Sequence, residues 1–402
     1  MLEKAKIIQQ IRAAPDHRRS FFALLIRGGK TMKTNIIRKT AAVLMSLALI
    51  ITFTGLGTSA SDAYAATGTA SKITVYVTVI NGADIAKSGD KLMVNVPVKV
   101  NKEEGKSYAL YSTAMTALHA KYCTDGYAAS SDGWVTKFWG IKGANTLFTI
   151  NNVATTEVLS STKITNGQRL TAAIIRDAKT YADYYSYFTP RIVNTVAGGT
   201  FTLNLNGYMG MGLDKTPAAI KGAKIGVVTD GGFKAIEGTV TDDKGSATVT
   251  LDKATFKTGN TYYLTAEGTV KTTAQDYSSG SPVDVQVDAP IIPPVCVVKV
   301  VTPAVYSVCQ ASITNLTADR INNTMTVTWG TDYSDKLDGY VVYRSTKADW
   351  GFVKVGTVTT QKYSVTKKTK CNYTVYYKVK GYKVIDGARV YTKTATASIR
   401  PN

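Results

Sequence analysis

Histidine is nearly absent from this chain of 402 residues, in which only His17 and His119 occur. Catalytic triads need a base within hydrogen-bonding reach of the nucleophile. The chain has no Gly-x-Ser-x-Gly motif and no phosphate-binding or dinucleotide-binding glycine pattern. Glycoside hydrolysis needs only two facing carboxylates, but the acidic residues cluster in turns. The sequence therefore predicts a protein with no catalytic residues and no cofactor.

Cysteine is also scarce, and no two of the four cysteines form a Cys-x-x-Cys pair. This argues against zinc ribbons and thioredoxin-like redox sites. Cys296 and Cys309 are the only two that lie close in sequence. They could form a disulfide or remain as free thiols, and the sequence leaves both alternatives open. Cys123 follows His119 by four residues, a spacing that brings two side chains together on a helix, but no further motif supports a catalytic pair.

The N-terminal part of the chain has the order of a secretory signal. Basic residues after Met32 precede an apolar run over about 41–56, and small residues follow up to Ala65. Such a segment is cleaved after the small residues. A transmembrane anchor is the alternative, but polar residues and a glycine interrupt the run and no basic flank follows it. We predict a signal peptide over residues 32–65 and an exported mature chain without a membrane span.

Residues 1–31 precede this signal and are unexpected, because signal peptides begin at the initiator methionine. Gly28 and Gly29 can be encoded by a purine-rich ribosome-binding sequence, and two further residues supply a spacer before Met32. We therefore expect that translation starts at Met32 and that residues 1–31 are a non-native extension.

Positive charge is in excess, with a formal net charge of +20. From Gln310 onward there are fifteen Lys and Arg residues against six Asp and Glu residues. Such a field attracts polyanions, and in an exported chain without a nucleic-acid-binding motif these would be anionic cell-wall polymers or acidic glycans rather than nucleic acid. The alternative is that the lysines keep exposed strand edges soluble.

The first stretch with a folding pattern alternates apolar and polar residues over KITVYVTVI and LMVNVPVKV, the period of half-buried strands. Turn residues between them predict a hairpin. The segment STAMTALHAKYC changes to helical spacing, with Ser112 or Thr113 as the expected N-cap. Short strands follow in GWVTKFWGIKGANTLFTINN and QRLTAAIIRD. This order predicts an α+β unit over residues 70–188.

This unit resembles the β-grasp module found at the C-terminus of transcobalamin-like proteins and in many bacterial surface proteins. The features that carry the resemblance are the opening hairpin, the helix ending AMTALHAKY, the aromatic-glycine segment GWVTKFWGIKG and the NGQRL turn. In cobalamin carriers the module contacts a corrinoid, and the segment that corresponds here holds Trp134, Phe138, Trp139 and Gly140. The large helical domain of such carriers is absent, so no corrinoid role is predicted.

Two further units follow. Short alternating strands over residues 191–288 predict an antiparallel sandwich, and TVTDDKGSATVTL resembles the hairpins of bacterial immunoglobulin-like repeats. Asp242 and Asp243 in that hairpin lack the further ligands of a calcium loop, so no metal site is predicted. A proline-rich start marks residues 289–310 as a linker. Residues 311–402 resemble fibronectin type III domains of Gram-positive secreted proteins, through MTVTWGTDYSDKLDGYVVYRST and YTVYYKVKGYKVIDG.

Tyrosine is abundant, with 24 tyrosines against 10 phenylalanines. The segment TYADYYSYFTP, residues 180–190, places tyrosines on both faces of an extended strand. Aromatic rings stack on sugars and other flat ligands, and they also fill protein cores. The segment could therefore pack at a domain boundary or form a ligand-binding surface, and the sequence leaves both alternatives open. The candidate ligand-binding residues are Trp134, Phe138, Trp139, Tyr181, Tyr184, Tyr185 and Tyr187.

Together these patterns predict a mostly β, multi-domain chain: a β-grasp-like α+β module followed by two antiparallel β-sandwiches. We expect an exported, non-catalytic surface or secreted protein that binds a glycan or a small molecule through its first module. The alternative is a structural spacer held at the cell wall by its basic C-terminal domain. A hydrolase acting on polysaccharides is the third and most distant possibility.

Overall fold

The structure is a computed structural model that describes residues 71–212, 214–276, 278, 280–321, 324–348, 352–366 and 373–399. The predicted N-terminal extension, the signal peptide and Cys371 lie outside the described residues. Residues 273–287 belong to a different compact unit from the other described residues. No helix in the described part of the chain is long and apolar enough to span a membrane.

The first module combines one longer helix with many short strands. Its helix is α1 (Tyr111–Tyr122). Its strands are β1 (Lys72–Asn81), β2 (Asp84–Ile85), β3 (Lys87–Ser88), β4 (Lys91–Leu92), β5 (Val96–Asn101), β6 (Ala109–Leu110), β7 (Ala128–Ala129), β8 (Val135–Phe138), β9 (Ile141–Lys142), β10 (Thr146–Ile150), β11 (Val153–Ala154), β12 (Lys163–Ile164) and β13 (Arg169–Ile174).

The main sheet of this module is mixed. Its order is β11-β10-β13-β1, with β5 and β2 both paired to β1. β1 runs antiparallel to β5, as the predicted hairpin requires, and parallel to β13. The buried face of α1, with Met115 and Leu118, packs into one core with Val75 and Val77 of β1. The alternating pattern of β1 thus turns its valines toward the helix.

The helix begins two or three residues earlier than the predicted N-caps Ser112 and Thr113 would place it. Its N-cap is Leu110, which provides no capping side chain, so neither Ser112 nor Thr113 has that role. Tyr111 opens the helix with a fully buried ring, and its hydroxyl donates to the carbonyl oxygen of Thr171 at 3.1 Å. Burial of this ring outweighs the missing cap, which is worth about 1 kcal/mol.

The middle sandwich follows. Its strands are β14 (Tyr184–Thr189), β15 (Ile192–Thr195), β16 (Thr200–Met209), β17 (Ala218–Ala219), β18 (Lys224–Thr229), β19 (Gly232–Val240), β20 (Ser246–Thr250), β21 (Thr261–Glu267), β22 (Thr269–Asp276), β23 (Val283–Ile292) and β24 (Cys296–Val300). One sheet contains β17-β16-β14-β23, with β20 beside β16, and the other has the order β15-β24-β21-β18-β19. Apolar residues of both sheets share one core.

Residues 289–310 are not a linker. Their first residues complete β23, and β24 lies in the second sheet of the middle sandwich, where it pairs with β15 and β21. The remainder forms helix α2 (Pro303–Gln310), whose N-cap Thr302 accepts from the backbone N–H of Val305. The proline-rich stretch therefore ends β23 and is followed directly by β24, a strand that the sequence analysis did not predict.

The C-terminal sandwich also has two sheets. Its strands are β25 (Ile313–Ile321), β26 (Thr324–Thr331), β27 (Gly339–Ser345), β28 (Val353–Val358), β29 (Lys362–Thr366), β30 (Val375–Ile385), β31 (Ala388–Tyr391) and β32 (Ala395–Ile399). One sheet has the order β25-β26-β29, and the other has β28-β27-β30-β31 with β32 beside β30. Trp329, Tyr340 and Tyr377 fill the core between them.

Cys296 and Cys309 carry free thiols, as does Cys123, so the structure does not contain the candidate disulfide. Cys296 points into the core of the middle sandwich, and burial strongly raises the pKa of its thiol. Cys309 lies on α2, and its sulfur accepts from Asn194 Nδ2 at 3.6 Å. Closeness in sequence does not bring the two sulfurs together, because one belongs to a core-facing strand and the other to the next helix.

Candidate functional site: an aromatic hairpin and a tyrosine joint

The predicted aromatic-glycine segment forms a hairpin beside α1. Strands β8 and β9 pair across a two-residue turn made of Trp139 and Gly140. Both have positive φ, 48° for Trp139 and 81° for Gly140. Glycine accepts this conformation freely, but a bulky side chain there is strained, and strained residues are concentrated at functional sites. Trp139 is thus held at the tip of the hairpin in an unfavourable backbone conformation.

His119 holds that turn from the helix. Its Nδ1 donates to the carbonyl oxygen of Met115 at 2.7 Å, which leaves Nε2 to accept from the backbone N–H of Trp139 at 3.4 Å. The ring is buried, and desolvation lowers the pKa of His119 despite the bond to Met115. His119 therefore positions Trp139, and because both nitrogens are engaged it is not directed at Cys123, whose thiol pKa is raised by burial.

The rings of the hairpin divide between the core and the surface. Phe138 is 0% exposed and packs edge-on against Phe148 and His119. It is therefore removed from the candidate ligand-binding residues. Trp139 is half-buried, with its ring 5.3 Å from His119. Trp134 is 37% exposed, so Trp134 and Trp139 are the two rings of the predicted set that a ligand could reach here.

Tyr127 completes the aromatic group around His119. Its ring lies 5.3 Å from the imidazole, and its hydroxyl is buried with no hydrogen-bond partner among the described residues. Burial raises the pKa of Tyr127 accordingly. No sequence pattern pointed to Tyr127, because its place beside His119 depends on a loop that brings it back to α1.

The tyrosine segment has a different place. Tyr184–Thr189 is strand β14, paired with β16 and β23 in the middle sandwich. Its side chains alternate: Tyr184 and Phe188 face the sandwich core, whereas Tyr185 and Tyr187 face a second apolar cluster shared with the first module. Tyr181, with a positive φ of 55°, packs against the same cluster. The segment therefore joins the first module to the middle sandwich.

Hydrogen bonds strengthen this tyrosine joint. The hydroxyl of Tyr185, a residue only 2% exposed, donates to Asn152 Oδ1 at 3.0 Å and accepts from Thr149 Oγ1 at 3.2 Å. Tyr208, on β16, donates to the carbonyl oxygen of Asn152 at 2.8 Å. Burial raises the pKa of Tyr208, so its hydroxyl stays protonated. Tyr185 is thus a structural residue and is also removed from the ligand-binding candidates.

A buried carboxylate organises the loop before β14. Asp183 is 1% exposed and accepts from the backbone N–H groups of Arg176 and Asp177 at 2.8 and 2.7 Å. The Arg176 guanidinium lies 3.8 Å from the same carboxylate and donates to the carbonyl oxygen of Ile291 at 2.8 Å. These contacts connect β13, β14 and β23. Sequence reasoning missed them because the partners lie as far as 115 residues apart.

The strand pairing defines the class of this chain: a mostly β protein with several domains, two of them sandwiches. No protein-family model matches the chain, and no curated protein matches it.

Solved structures show partial similarity. A fibronectin type III-like protein from Clostridium thermocellum is 27% identical over 21% of this chain and 86% of its own, with a TM-score of 0.17. A two-domain fibronectin type III segment of chicken tenascin is 14% identical over 50% of this chain and 91% of its own (TM-score 0.19).

The pectate lyase PelI of Erwinia chrysanthemi, in complex with tetragalacturonic acid, is 18% identical over 22% of this chain (TM-score 0.17). The chain spans only 28% of the length of that enzyme. With TM-scores this low, the description of the fold rests on strand pairing and the cores, not on these similarities.

Proposed function

We propose that this protein is an extracellular, non-catalytic binding protein whose first module presents the aromatic hairpin to a glycan or a flat small molecule. The observation that carries the proposal is the turn Trp139-Gly140. A tryptophan with positive φ, held by a buried histidine, is a preorganised ring, and preorganisation lowers the cost of binding. Trp134, exposed at the start of β8, adds a second ring.

The architecture of the first module supports its comparison with a β-grasp module. An antiparallel hairpin, β1 with β5, is followed by α1 packed on the sheet and by β13, which returns parallel to β1. In this proposal the two sandwiches hold and space the first module, and the tyrosine joint fixes its orientation on the middle sandwich.

The test uses the full chain against arrays of glycans and panels of flat small molecules. Trp139→Gly removes the indole but suits the positive φ, so the hairpin is retained. Trp134→Ala removes the exposed ring. Each variant should weaken binding by tenfold or more, the scale of an aromatic anchor in an interface. The control Val153→Ala removes another exposed apolar side chain of the same module and should bind as the wild type does.

Two results would contradict the proposal. One is a folded wild-type chain that binds no member of either panel. The other is a bound ligand whose affinity neither tryptophan variant changes. Circular dichroism and thermal melting of each variant distinguish loss of a binding surface from loss of the fold.

A second candidate function rests on a separate observation in the C-terminal sandwich. On the outward face of its larger sheet, Lys378 lies 4.0 Å from the ring centre of Phe352, and Lys380 lies 5.9 Å from that of Tyr343. Lysines interleaved with aromatic rings form a surface that attracts anionic polymers. This favours attachment to an anionic cell-wall polymer through the C-terminal sandwich.

A further inference from the structure

A cleft of about 370 Å³ lies between the first module and the middle sandwich, away from the aromatic hairpin. One wall is the chain from Ala83 to Lys87, around β2. The other wall is the β18–β19 hairpin with residues 265–267 of β21, and Pro293 also lines the cleft. Its volume is within the range of small-molecule sites, which often occur at domain boundaries.

The most informative group in this cleft is the hydroxyl of Thr265. The residue is only 5% exposed, it lines the cleft, and its Oγ1 has no hydrogen-bond partner within the described residues. Buried polar groups are nearly always paired, so an unpaired one needs an explanation. A ligand in the cleft that hydrogen-bonds this hydroxyl provides one.

An aromatic ring lies above the strand partner of Thr265. Gly226 is the strand partner of Thr265, and a Cβ added to Gly226 would lie 2.5 Å from Phe233 Cε2. The Phe233 ring therefore occupies the space above Gly226, which only glycine leaves free. Phe233 is half-buried and lines the cleft, so part of its ring is available to a ligand.

Charged groups complete the lining. Asp84, Asp230 and Glu267 are exposed residues at the edge of the cleft, and Lys87 is the cation among its lining residues. Lys87 Nζ lies 3.6 Å from Asp230 Oδ1 and so connects the two walls. Lys224 lies opposite Glu267 in the strand ladder and flanks the cleft. Carboxylates accept several hydrogen bonds each, and this lining disfavours a ligand that carries negative charge.

We propose that this cleft binds a neutral sugar unit. The ring of Phe233 packs on the apolar face of a pyranose, the Thr265 hydroxyl bonds one sugar oxygen, and the carboxylates of Asp230 and Glu267 accept from sugar hydroxyls. Aromatic stacking with a few placed polar groups is the composition of a small-ligand site. The site is independent of the aromatic hairpin, so either proposal can fail alone.

The test is saturation-transfer NMR and calorimetry on the full chain with the methyl glycosides of glucose, galactose and mannose, and with methyl glucuronide. At least one neutral glycoside should bind, and the uronide, which is anionic, should bind at least tenfold more weakly. Thr265→Val should lower the affinity for that glycoside at least fivefold. The same substitution should raise the melting temperature, because it removes an unpaired buried hydroxyl. Phe233→Leu should weaken binding at least tenfold.

Thr248→Val is the matched control, since Thr248 is exposed on β20 in the other sheet; it should leave affinity unchanged. A Thr265 with only a structural role would move the melting temperature and not the affinity. The proposal is overturned if Thr265→Val leaves affinity unchanged, if no neutral glycoside binds, or if the uronide binds as well as the neutral sugars. Binding of calcium in the cleft in place of a sugar would also overturn it.

Discussion

At the scale of single residues, His119 shows how a buried side chain can hold a hairpin turn in place. Both of its ring nitrogens hydrogen-bond to backbone groups, one on α1 and one in the hairpin turn. Only the neutral imidazole can make both bonds, because Nε2 must be free to accept. Burial lowers the pKa of His119 and so favours this neutral form.

The first prediction concerns the pH dependence of this contact. The pKa of His119 in the folded chain is below the ordinary value of 6.5, so the unfolded chain binds more protons in acid. Stability should be fully present above about pH 6.5 and should decline as pH falls through the folded pKa. Urea unfolding at several pH values between 7 and 5 measures the free energy of unfolding. Tryptophan fluorescence of the folded chain over the same pH range follows the surroundings of the indole rings.

The variant His119→Gln provides the control for that experiment. Glutamine does not titrate. Both the loss of stability in acid and the change in tryptophan fluorescence with pH should therefore be smaller in this variant than in the wild type. An unchanged pH profile in this variant would show that other groups account for the acid sensitivity.

At the scale of elements, β14 explains why residues 181–188 hold five aromatic rings: four of the five lie on this strand, between two apolar clusters. One face of the strand belongs to the core of the middle sandwich and the other belongs to the tyrosine joint. Neither face is solvent-facing, so neither needs a regular polar pattern. The tyrosine hydroxyls on the joint side find partners in the turn between β10 and β11, around Asn152.

The second prediction tests this joint. Tyr185→Phe leaves Asn152 Oδ1 and Thr149 Oγ1 without the hydroxyl that each contacts. Because leaving buried polar groups unpaired costs about 1–3 kcal/mol, the free energy of unfolding should fall by roughly that amount. Amide exchange should increase in β10 and β14 together, since the joint connects them.

Tyr306→Phe is the comparison for this variant, because Tyr306 lies on α2 and its hydroxyl has no hydrogen-bond partner within the described residues. It should change stability by less than about 0.5 kcal/mol, as surface substitutions do. Equal effects of the two substitutions would show that the hydroxyl network at Asn152 does not stabilise the joint.

At the scale of the whole molecule, the charge is unevenly spread. The C-terminal sandwich carries much of the positive excess. On its outward face the pKa of Lys380 is lowered, first by desolvation and second by the positive charge of Lys378. The cleft beside the middle sandwich has the opposite character, with three carboxylates and one lysine in its lining. The two surfaces therefore suit ligands of different charge.

The third prediction follows from this distribution. The full chain should bind purified teichoic acid at low salt and lose affinity as salt rises, because exposed charges are screened. The double variant Lys378→Ala/Lys380→Ala should lose roughly 1 kcal/mol per lysine, the scale of basic residues near anionic surfaces. The double variant Lys224→Ala/Lys271→Ala removes equal charge from the middle sandwich and should bind nearly as the wild type does. Salt-independent binding would contradict the prediction.

The local structure could largely be predicted from the sequence: the alternating strand β1, its hairpin with β5, a helix close to residues 111–122 and most strands of both sandwiches. These follow from residue spacing and turn residues, which act over a few positions. Long-range packing accounts for the burial of Phe138 and Tyr185, for the place of β24 in the middle sandwich, and for the cleft that Thr265 and Phe233 both line. Burial is set by partners that lie tens of residues away, and no local period encodes them.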